Sequence, residues 1–567
     1  MKRGKLRLLL GAGIFGGIFF APDANATNAL EFPDNGSEQL GRGGAWMVRA
    51  SDPLATIYNP AGLVGQVTAL SLSSNFNLQR TCFQRFRSPQ DGNDVASTAN
   101  ADGLFPEVCG AENFFPNPQI AATFRLSDRV GLGLAVAGPS AVGHQRWPDV
   151  VANGNTLVPS PQRYLLSESR MLLVTPTLAL GVQVAPWLKL GLGLGFGIFR
   201  GKFSNASMGI NQDGLDPRDN DVKATVIASD SFVPSFTLGA IATLTSEWEL
   251  GATLKWSDSI RATGDIYTQA GYYRDKARQG DGSGVYDGDS SLPDCGTGAT
   301  TTEGANACGA GNNASLRIAL PMEAKIGLRM HRFRNPRMVR NGDGSLSLRS
   351  GPNDASVLLV KLPPYDPMRD DLFDVEFNLT WTQNSVMENL ELRFPATPSG
   401  DGRIPVNGTP GNVPPNADVP LRFRDVLGLR VGGDYNVLEN KVAVRAGAFM
   451  ETSPTRAEFQ NIGFAGGSRA GLAFGATFRV PSFVRLGEGG GNIDLSIGFA
   501  HVFLADTTHR GDTGLYALAG TACNPVSADA GDLCPSGRVK YRSNAPVNLG
   551  TIRSNINVLN VGATLRF

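Results

Sequence analysis

Few residues in this chain are arranged for catalysis. Its 567 residues include four histidines: His144, His331, His501 and His509. No GxSxG motif is present to hold a serine nucleophile on a sharp strand-to-helix turn. Glycine at every second position of 191–197 does not satisfy the dinucleotide-binding motif GxGxxG, and the acidic stretch 281–289 misses the spacing of a calcium loop. We therefore expect no enzyme, no cofactor and no metal site.

The cysteines could form disulfides or bind a metal ion. They are Cys82, Cys109, Cys295, Cys308, Cys523 and Cys534. No CxxC motif or suitably spaced histidine accompanies any pair, which disfavours a zinc site. Because they occur two by two in three separate segments, we expect three local disulfides in an oxidising location.

The composition excludes several classes of protein. Lys+Arg and Asp+Glu are both 51, so the chain lacks the basic excess of a nucleic-acid binder. A mean hydropathy of −0.11 argues against a bundle of membrane-spanning helices. Glycine is abundant (69 residues) and charged residues are scarce (18%, against roughly 25% on average). A β-rich protein whose strands are apolar on one side only fits these values.

Residues 1–26 have the pattern of an export signal. Lys2, Arg3, Lys5 and Arg7 precede the apolar stretch 8–20, and Ala24-Asn25-Ala26 follows it. Small residues at 24 and 26 suit a signal peptidase, so we expect cleavage after Ala26.

Apolar and polar residues alternate with a period of two along most of the chain, which predicts strands. In 188–198, for example, leucine, phenylalanine and isoleucine alternate with lysine and glycine. Such segments lie near 66–81, 117–126, 129–146, 164–183, 187–204, 224–244, 247–267, 314–331, 371–392, 420–434, 440–452, 467–480, 491–505 and 551–567. Their even number, fourteen, is what a single-chain bacterial barrel requires, whereas alternation alone would also suit a soluble sandwich.

The connections favour the barrel, because long and short ones alternate as extracellular loops and periplasmic turns do. The long ones are 82–116, 147–163, 205–223, 268–313, 393–419, 453–466 and 506–550, and they contain all six cysteines. The connection 332–370 breaks the pattern, since it is long where a short turn is expected. We predict an all-β, 14-stranded antiparallel transmembrane barrel over 65–567.

The side-chain alternation assigns a set of charged residues to the lumen. The cations are Lys255, Arg317, Lys325, Arg329, Arg422, Arg424, Arg430, Arg445, Arg469 and Arg479. The acids are Glu249, Glu323, Asp374 and Glu376. We expect most of them to pair with one another, and a ligand carboxylate would need one further cation, with Lys255 and Arg445 as candidates.

Residues 27–64 do not alternate, and they are expected to plug a lumen too wide for side chains to fill. With Gly41-Arg42-Gly43, Asp52 and above all Tyr58-Asn59-Pro60-Ala61-Gly62-Leu63, this segment resembles the N-terminal hatch of the FadL family of outer-membrane transporters for long-chain fatty acids and other hydrophobic compounds. The strand count, the loop order, Leu320-Pro321 and the terminal Phe567 are similar as well.

The resemblance implies a gating role for Asn59, Pro60 and Ala61. It also implies that the third strand is kinked inward to open the barrel wall. Its interior Gly138-Pro139 should bend a strand in any case, because proline cannot donate to the ladder, and we place the opening at Gly138, Pro139, Ser140 and Gly143. Arg200 aligns with an arginine near the family's ligand pocket, although its parity points outward.

Together these observations predict hatch-gated, passive uptake of hydrophobic small molecules, first of all long-chain fatty acids, with lateral exit at the third strand. Aromatic or alkane hydrocarbons are the alternative substrates, and a non-specific porin is the alternative channel. We expect a monomer in the outer membrane of a Gram-negative bacterium, in contact with lipid and lipopolysaccharide and inserted by the barrel assembly machinery.

Overall fold

The computed structural model describes most of the chain beyond residue 33. The described residues are 34–89, 99–111, 114–138, 144–153, 156–207, 221–270, 272–273, 312–335, 338–340, 346–348, 360–361, 364–394, 404–406, 409–413, 416–464, 466–482, 491–518, 533–534, 538–539 and 542–567. The predicted export signal lies outside them.

Long antiparallel strands dominate the fold, and we number those of the barrel β1 to β14. They are β1 Ala69–Arg85, β2 Phe114–Arg125, β3 Val130–Ala137, β4 Glu168–Ala185, β5 Leu188–Ser207, β6 Val222–Thr243, β7 Trp248–Ser257 with Ile260–Ala270, β8 Asn312–Ile318 with Glu323–Phe333, β9 Asp371–Thr382 with Asn389–Arg393, β10 Asn416–Pro420 with Val426–Leu438, β11 Val442–Glu451, β12 Arg469–Pro481, β13 Asn492–Leu504 and β14 Gly550–Arg566. Each pairs with its neighbours in the chain, and β14 pairs with β1 from Ala69↔Arg566 to Arg85↔Gly550. The prediction of a closed 14-stranded barrel is confirmed.

Short elements accompany the barrel. The helices are α1 Ser37–Gly41, α2 Ala55–Tyr58 and α3 Pro367–Asp370, with 3-10 turns at Pro60–Leu63, Asn384–Val386, Ala457–Phe459 and Ile462–Phe464. The short strands are Val108–Cys109, His144–Arg146, Val150–Asn153, Thr156–Pro159, Met338–Arg340, Leu346–Leu348, Val360–Lys361, Ile404–Val406, Thr409–Val413, Thr507–His509, Tyr516–Leu518, Leu533–Cys534, Arg538–Val539 and Arg542–Pro546. Three of them, Met338–Arg340, Leu346–Leu348 and Val360–Lys361, make a small sheet within the long 332–370 connection.

The outer wall of the barrel is apolar. On β5, Leu190, Leu192, Leu194, Phe196 and Ile198 are 42–53% exposed, while the glycines between them face inward. Similar rows of exposed leucine, isoleucine and phenylalanine occur on the other strands. A wall of this kind matches the lipid-facing belt of an outer-membrane barrel. Among the described residues, no helix is long and apolar enough to cross a membrane.

Strands β7 to β10 are interrupted midway, and this changes what faces the lumen. In β8 the break at 319–322 exchanges the two faces, so that Leu316 and Ile318 point inward and are each 1% exposed. Arg317 points outward, 3.8 Å from Glu391. Arg422 and Arg424 are exposed as well. The lumenal placement of these three arginines was therefore wrong, because alternation was carried across breaks that reset it.

The loop end of the barrel is covered by a second core. It is formed by buried side chains of several long loops, among them Trp147, Tyr164, Tyr272 and Leu515. Cys82 and Cys109 form the expected disulfide, but Cys82 lies in β1 and not in the first loop, and it is directly paired with Cys109 of the short strand Val108–Cys109. Of the other four cysteines, Cys295, Cys308 and Cys523 lie outside the described residues. Cys534 lies in the short strand Leu533–Cys534.

Candidate functional site

Residues 34–68, which we call the hatch, lie inside the barrel and are almost entirely buried. Glycines on the inner faces of β3 to β6 leave room for them. A Cβ on Gly191 would overlap the backbone of Pro60 and Ala61, and one on Gly181 would lie 2.6 Å from the Pro60 carbonyl oxygen. The alternating glycines of β5 therefore form a seat for the hatch.

Asn59 holds the seated turn in place. Its side chain accepts a hydrogen bond from the Ala61 amide (3.2 Å) and donates to the carbonyl oxygens of Met47 (3.0 Å) and Ala240 on β6 (3.4 Å). It is 0% exposed, so the turn of Asn59, Pro60 and Ala61 is fixed both to the rest of the hatch and to the wall.

The opposite side of the hatch is anchored by buried ion pairs. Arg42 contacts Asp374 on β9 and Asp434 on β10, each at 2.8 Å. Arg49 contacts the same two carboxylates at 3.2 and 3.1 Å. Burial lowers the pKa of the Arg42 guanidinium, but the attraction of Asp374 and Asp434 outweighs it and raises that pKa. Both arginines are therefore charged, and their pairing fixes the hatch to the wall.

A second carboxylate orients the hatch backbone. Glu376 on β9 accepts hydrogen bonds from the amides of Val48 and Arg49, both at 2.9 Å. Arg445 joins the same region, 3.2 Å from Asp434 and 3.6 Å from Glu38 of the hatch. It belongs to this anchor and not to the cavity described next.

A cavity of about 150 Å³ lies between the hatch and the extracellular half of the lumen. Its floor includes Asn35, Ile57 and Tyr58 of the hatch. Its walls come from β3 to β10, and Ile260, Leu320 and Thr382 lie at the breaks in β7, β8 and β9. The strand interruptions thus border the cavity.

One side of this cavity is apolar. Phe199, Ile260 and Ile318 belong to a buried cluster inside the upper barrel, and Met171, Leu173 and Leu320 pack against it. The lumen of an outer-membrane barrel is ordinarily polar. An apolar cluster there gives an uncharged solute a surface out of water.

The other side of the cavity carries charge. Its lining contains Asp34, Glu323, Lys255, Lys325 and Arg430. Arg430 pairs with Asp34 and also with Glu451, which in turn pairs with Arg469. Lys325 lies 2.7 Å from Glu323, and Lys255 is the cross-strand neighbour of Glu323. Cations and carboxylates therefore lie together on this side of the cavity.

The barrel wall is interrupted next to the cavity. Ala137 on β3 pairs with Thr175 on β4, and the next pairing along β3 is His144 with Arg170. Between these two pairings the chain has six residues (138–143) after β3, but only four (171–174) in β4. Ala137 and Gly138 both line the cavity, so the chain turns inward where alternation would point residue 138 out. Pro139, Ser140 and Gly143 lie outside the described residues.

Asn35 of the hatch forms hydrogen bonds with residues next to this interruption. It donates to the carbonyl oxygen of Gly138 (2.9 Å) and accepts from Asn117 (2.9 Å) and Gln119 (3.0 Å) on β2. Tyr58 accepts a hydrogen bond from the Asn35 amide (2.6 Å). The hatch is therefore hydrogen-bonded to Gly138 at the gap and to β2 beside it.

The predicted ligand cations do not come together. Lys255 lines the cavity, Arg445 lies beneath the hatch, and Arg200 is exposed on the outer face, where its parity had placed it. No sequence pattern pointed to Asn35. An isolated asparagine in a segment without periodicity gives no signal of the strands it will contact.

Asp52 of the hatch is a buried acid, 6% exposed. Gln39 and the Leu54 amide donate to it at 3.0 and 2.7 Å. Burial, reinforced by the charge of Glu38, raises the pKa of Asp52 to about 7.

A closed antiparallel barrel with an apolar belt, a hatch in its lumen and a cavity above that hatch has the architecture of a plugged outer-membrane barrel. The solved structure of a FadL homologue from Pseudomonas aeruginosa is similar over 95% of this chain and 99% of its own, with a TM-score of 0.60 and 16% identity. The toluene transporters TbuX of Ralstonia pickettii and TodX of Pseudomonas putida are similar over the same shares, at 12% identity and TM-scores of 0.49 and 0.47. The chain therefore has the FadL-type outer-membrane transporter fold. It matches no family model and no curated protein.

Proposed function

We propose that the protein takes up hydrophobic small molecules across the outer membrane by passive, hatch-gated diffusion. The observation that carries this proposal is the position of the cavity. One cavity touches an apolar cluster, the hatch and the interruption in the barrel wall. A solute bound there is next to the segment that must move and next to a way out.

The exit is lateral, between β2 and β4 at Gly138. A hydrophobic solute gains free energy by entering lipid sideways, without crossing the water beyond the barrel. The inward turn at Gly138 and the two surplus residues of the third strand support this route. The fixed turn of Asn59, Pro60 and Ala61, together with the Asn35 contacts, would have to shift to free it.

The ligand is an amphiphile with a carboxylate, of which a long-chain fatty acid is the first example. Lys255, Lys325 and Arg430 line one side of the cavity and offer charged donors to a carboxylate, and the apolar cluster accepts the chain. A cavity of about 150 Å³ holds roughly one benzene ring. A long chain must therefore extend beyond it along the apolar cluster.

The same volume favours one alternative, a single-ring hydrocarbon enclosed entirely in the cavity. Such a ligand needs no cation, so substitution of Lys255 separates the two substrates. A non-specific porin is a poorer match, because the hatch is packed against the wall by buried ion pairs.

Proteoliposome uptake of oleate, toluene and a sugar tests these proposals together. In Lys255→Met we expect oleate uptake to fall about tenfold, as for a lost charge-assisted hydrogen bond, with toluene uptake unchanged. Lys441→Met is the matched control, since Lys441 is exposed in the β10–β11 turn. Unchanged oleate uptake would refute the carboxylate ligand, and uptake of the sugar alone would refute the function.

A further inference from the structure

The connection between β8 and β9 is long at the end of the barrel that otherwise carries short turns. Its last residues, 364–370, include α3 and return to the barrel mouth before β9 begins at Asp371. Pro367 and Met368 are buried there. This segment is therefore part of the packed structure and not only a link.

One contact of the segment leads to the hatch through β12 to β14. Asp366 pairs with Arg479 on β12. Arg479 also donates to Asp494 on β13, with 2.8 Å between Nη2 of Arg479 and Oδ2 of Asp494. Arg566 on β14 lies 2.7 Å from Asp494 and donates to the Ser51 carbonyl oxygen of the hatch (3.4 Å). Burial raises the pKa of Asp366, but the charge of Arg479 outweighs this and lowers it, so the pair is ionised.

A second contact leads to the hatch through β8 and β9. The Tyr365 hydroxyl donates to Asp371 and accepts from Arg329 (3.0 Å). Arg329 also lies 2.7 Å from Asp374, the carboxylate that binds Arg42 of the hatch. Two separate chains of ion pairs and hydrogen bonds thus join residues 364–370 to the hatch.

The segment also covers the hatch directly. A cavity of about 10 Å³, room for one water molecule, is lined by Glu38, Arg49 and Ser51 of the hatch on one side. Asp366, Pro367 and Met368 line the other side. Residues 366–368 therefore lie next to the hatch, with room for about one water molecule between them.

The segment is itself fixed to the neighbouring turn. The Asn436 side chain donates to the carbonyl oxygens of Pro367 and Asp371, both at 2.7 Å, and the Asn440 amide donates to that of Met368 (3.2 Å). Arg334 at the start of the connection donates to the Asn436 carbonyl oxygen (2.5 Å). The small sheet 338–361 is thus joined to the barrel at both ends.

We propose that residues 364–370 are a latch that holds the hatch closed from the short-turn end of the barrel. Release of the latch frees the underside of the hatch. The latch does not depend on which ligand the cavity binds.

Thiol labelling of the hatch tests the latch without any transport assay. Ser51→Cys places a thiol in the water-sized gap, and a maleimide reagent reports its exposure in the full-length, detergent-solubilised protein, with the unsubstituted chain as background. We expect Asp366→Ala to raise the labelling rate at least tenfold. Glu107→Ala, which removes an exposed ion pair with Arg553 (2.7 Å) at the opposite end, should leave the rate unchanged. Equal rates in the two variants would overturn the latch.

A second variant guards against simple misfolding. Tyr365→Phe removes one hydroxyl from the second chain of contacts without creating a void, and we expect a rise of about threefold. Heat-modifiable gel mobility shows whether each barrel is closed. If Asp366→Ala fails to fold, the Tyr365→Phe rate decides, and no rise there overturns the proposal. A faster rate in a chain that transports nothing would support the latch while refuting the proposed uptake.

Discussion

Arg42 of the hatch and Asp374 of β9 form an ion pair with 2.8 Å between Nη1 and Oδ1, and both side chains are 0% exposed. Asp374 is shared with Arg49 of the hatch and Arg329 of β8. This one carboxylate of the wall therefore binds two arginines of the hatch and is itself held in position by Arg329 on the neighbouring strand. Displacement of the hatch must break buried charge contacts, which makes its closed position stable.

Arg42→Met should destabilise the closed hatch. The substitution leaves Asp434 and Asp374 with fewer cations in a buried site, at a cost of about 3 kcal/mol in the free energy of unfolding. Urea unfolding in micelles measures the loss, and planar-bilayer recordings should show longer open events. Arg553→Met, which alters an exposed ion pair, should cost about 1 kcal/mol or less. Equal losses in the two variants would contradict the anchor.

Gly191→Ala should lift the hatch from its seat. The added Cβ meets the backbone of Pro60 and Ala61, and such overpacking costs roughly 1–3 kcal/mol. Bilayer conductance should rise together with this loss of stability. Gly110→Ala is the control, because its Cβ would have no neighbour closer than 3.7 Å. A silent Gly191→Ala variant would mean that the glycine row does not seat the hatch.

Asp52→Asn should remove a pH dependence of the hatch. Burial favours the neutral form of Asp52 and raises its pKa to about 7 in the folded protein, from 3.8 in a free chain. Its stabilising contribution is therefore complete below pH 4 and is lost as the pH rises through 7. The wild-type protein should lose stability between about pH 4 and pH 7, on the order of 4 kcal/mol, and the variant should not. Parallel pH profiles of unfolding for the two proteins would rule this out.

Loss of the disulfide should affect the first loop. Cys82 and Cys109 are separated by 27 residues, and opening such a loop costs about 2–4 kcal/mol. In the Cys82→Ser, Cys109→Ser double variant we expect faster proteolysis between the two positions, with the barrel still closed on a gel. Unchanged cleavage would show that strand pairing alone orders this loop.

The barrel could be predicted from the sequence because each strand has lipid on one side and the lumen on the other. This requires apolar and polar or small side chains to alternate strictly along the strand. Leu190 to Ile198 is the clearest case, since every second residue is exposed as predicted. The prediction of a lumenal position was wrong for Arg317, because the break at 319–322 exchanges the faces of β8. The alternation on one side of a break does not determine which face is lumenal on the other side. Leu316 and Ile318 point inward there because the interior of the upper barrel is an apolar cluster to which both belong.

The candidate site was only partly predictable. Gly138 stood out because Gly-Pro disrupts a strand, and Lys255 because parity placed it inside. The roles of Asn35 and Arg42 depend on partners 82 to 392 residues away in the chain, so no local pattern could reveal them. The same holds for Asp366, whose partner Arg479 is 113 residues away.

Closing the gap in the wall is the most direct test of lateral uptake. Deletion of Pro139 and Ser140 removes the proline that cannot donate to the ladder and leaves four residues between Ala137 and His144, equal to the four on β4, so that the two strands can pair without interruption. Proteoliposome uptake of oleate and toluene is measured against a chain lacking Asn211 and Gln212, with gel mobility as the check on folding. We predict that uptake falls to the level of empty liposomes in the first variant and stays normal in the second. Normal uptake through a folded barrel with the shortened third strand would contradict the account.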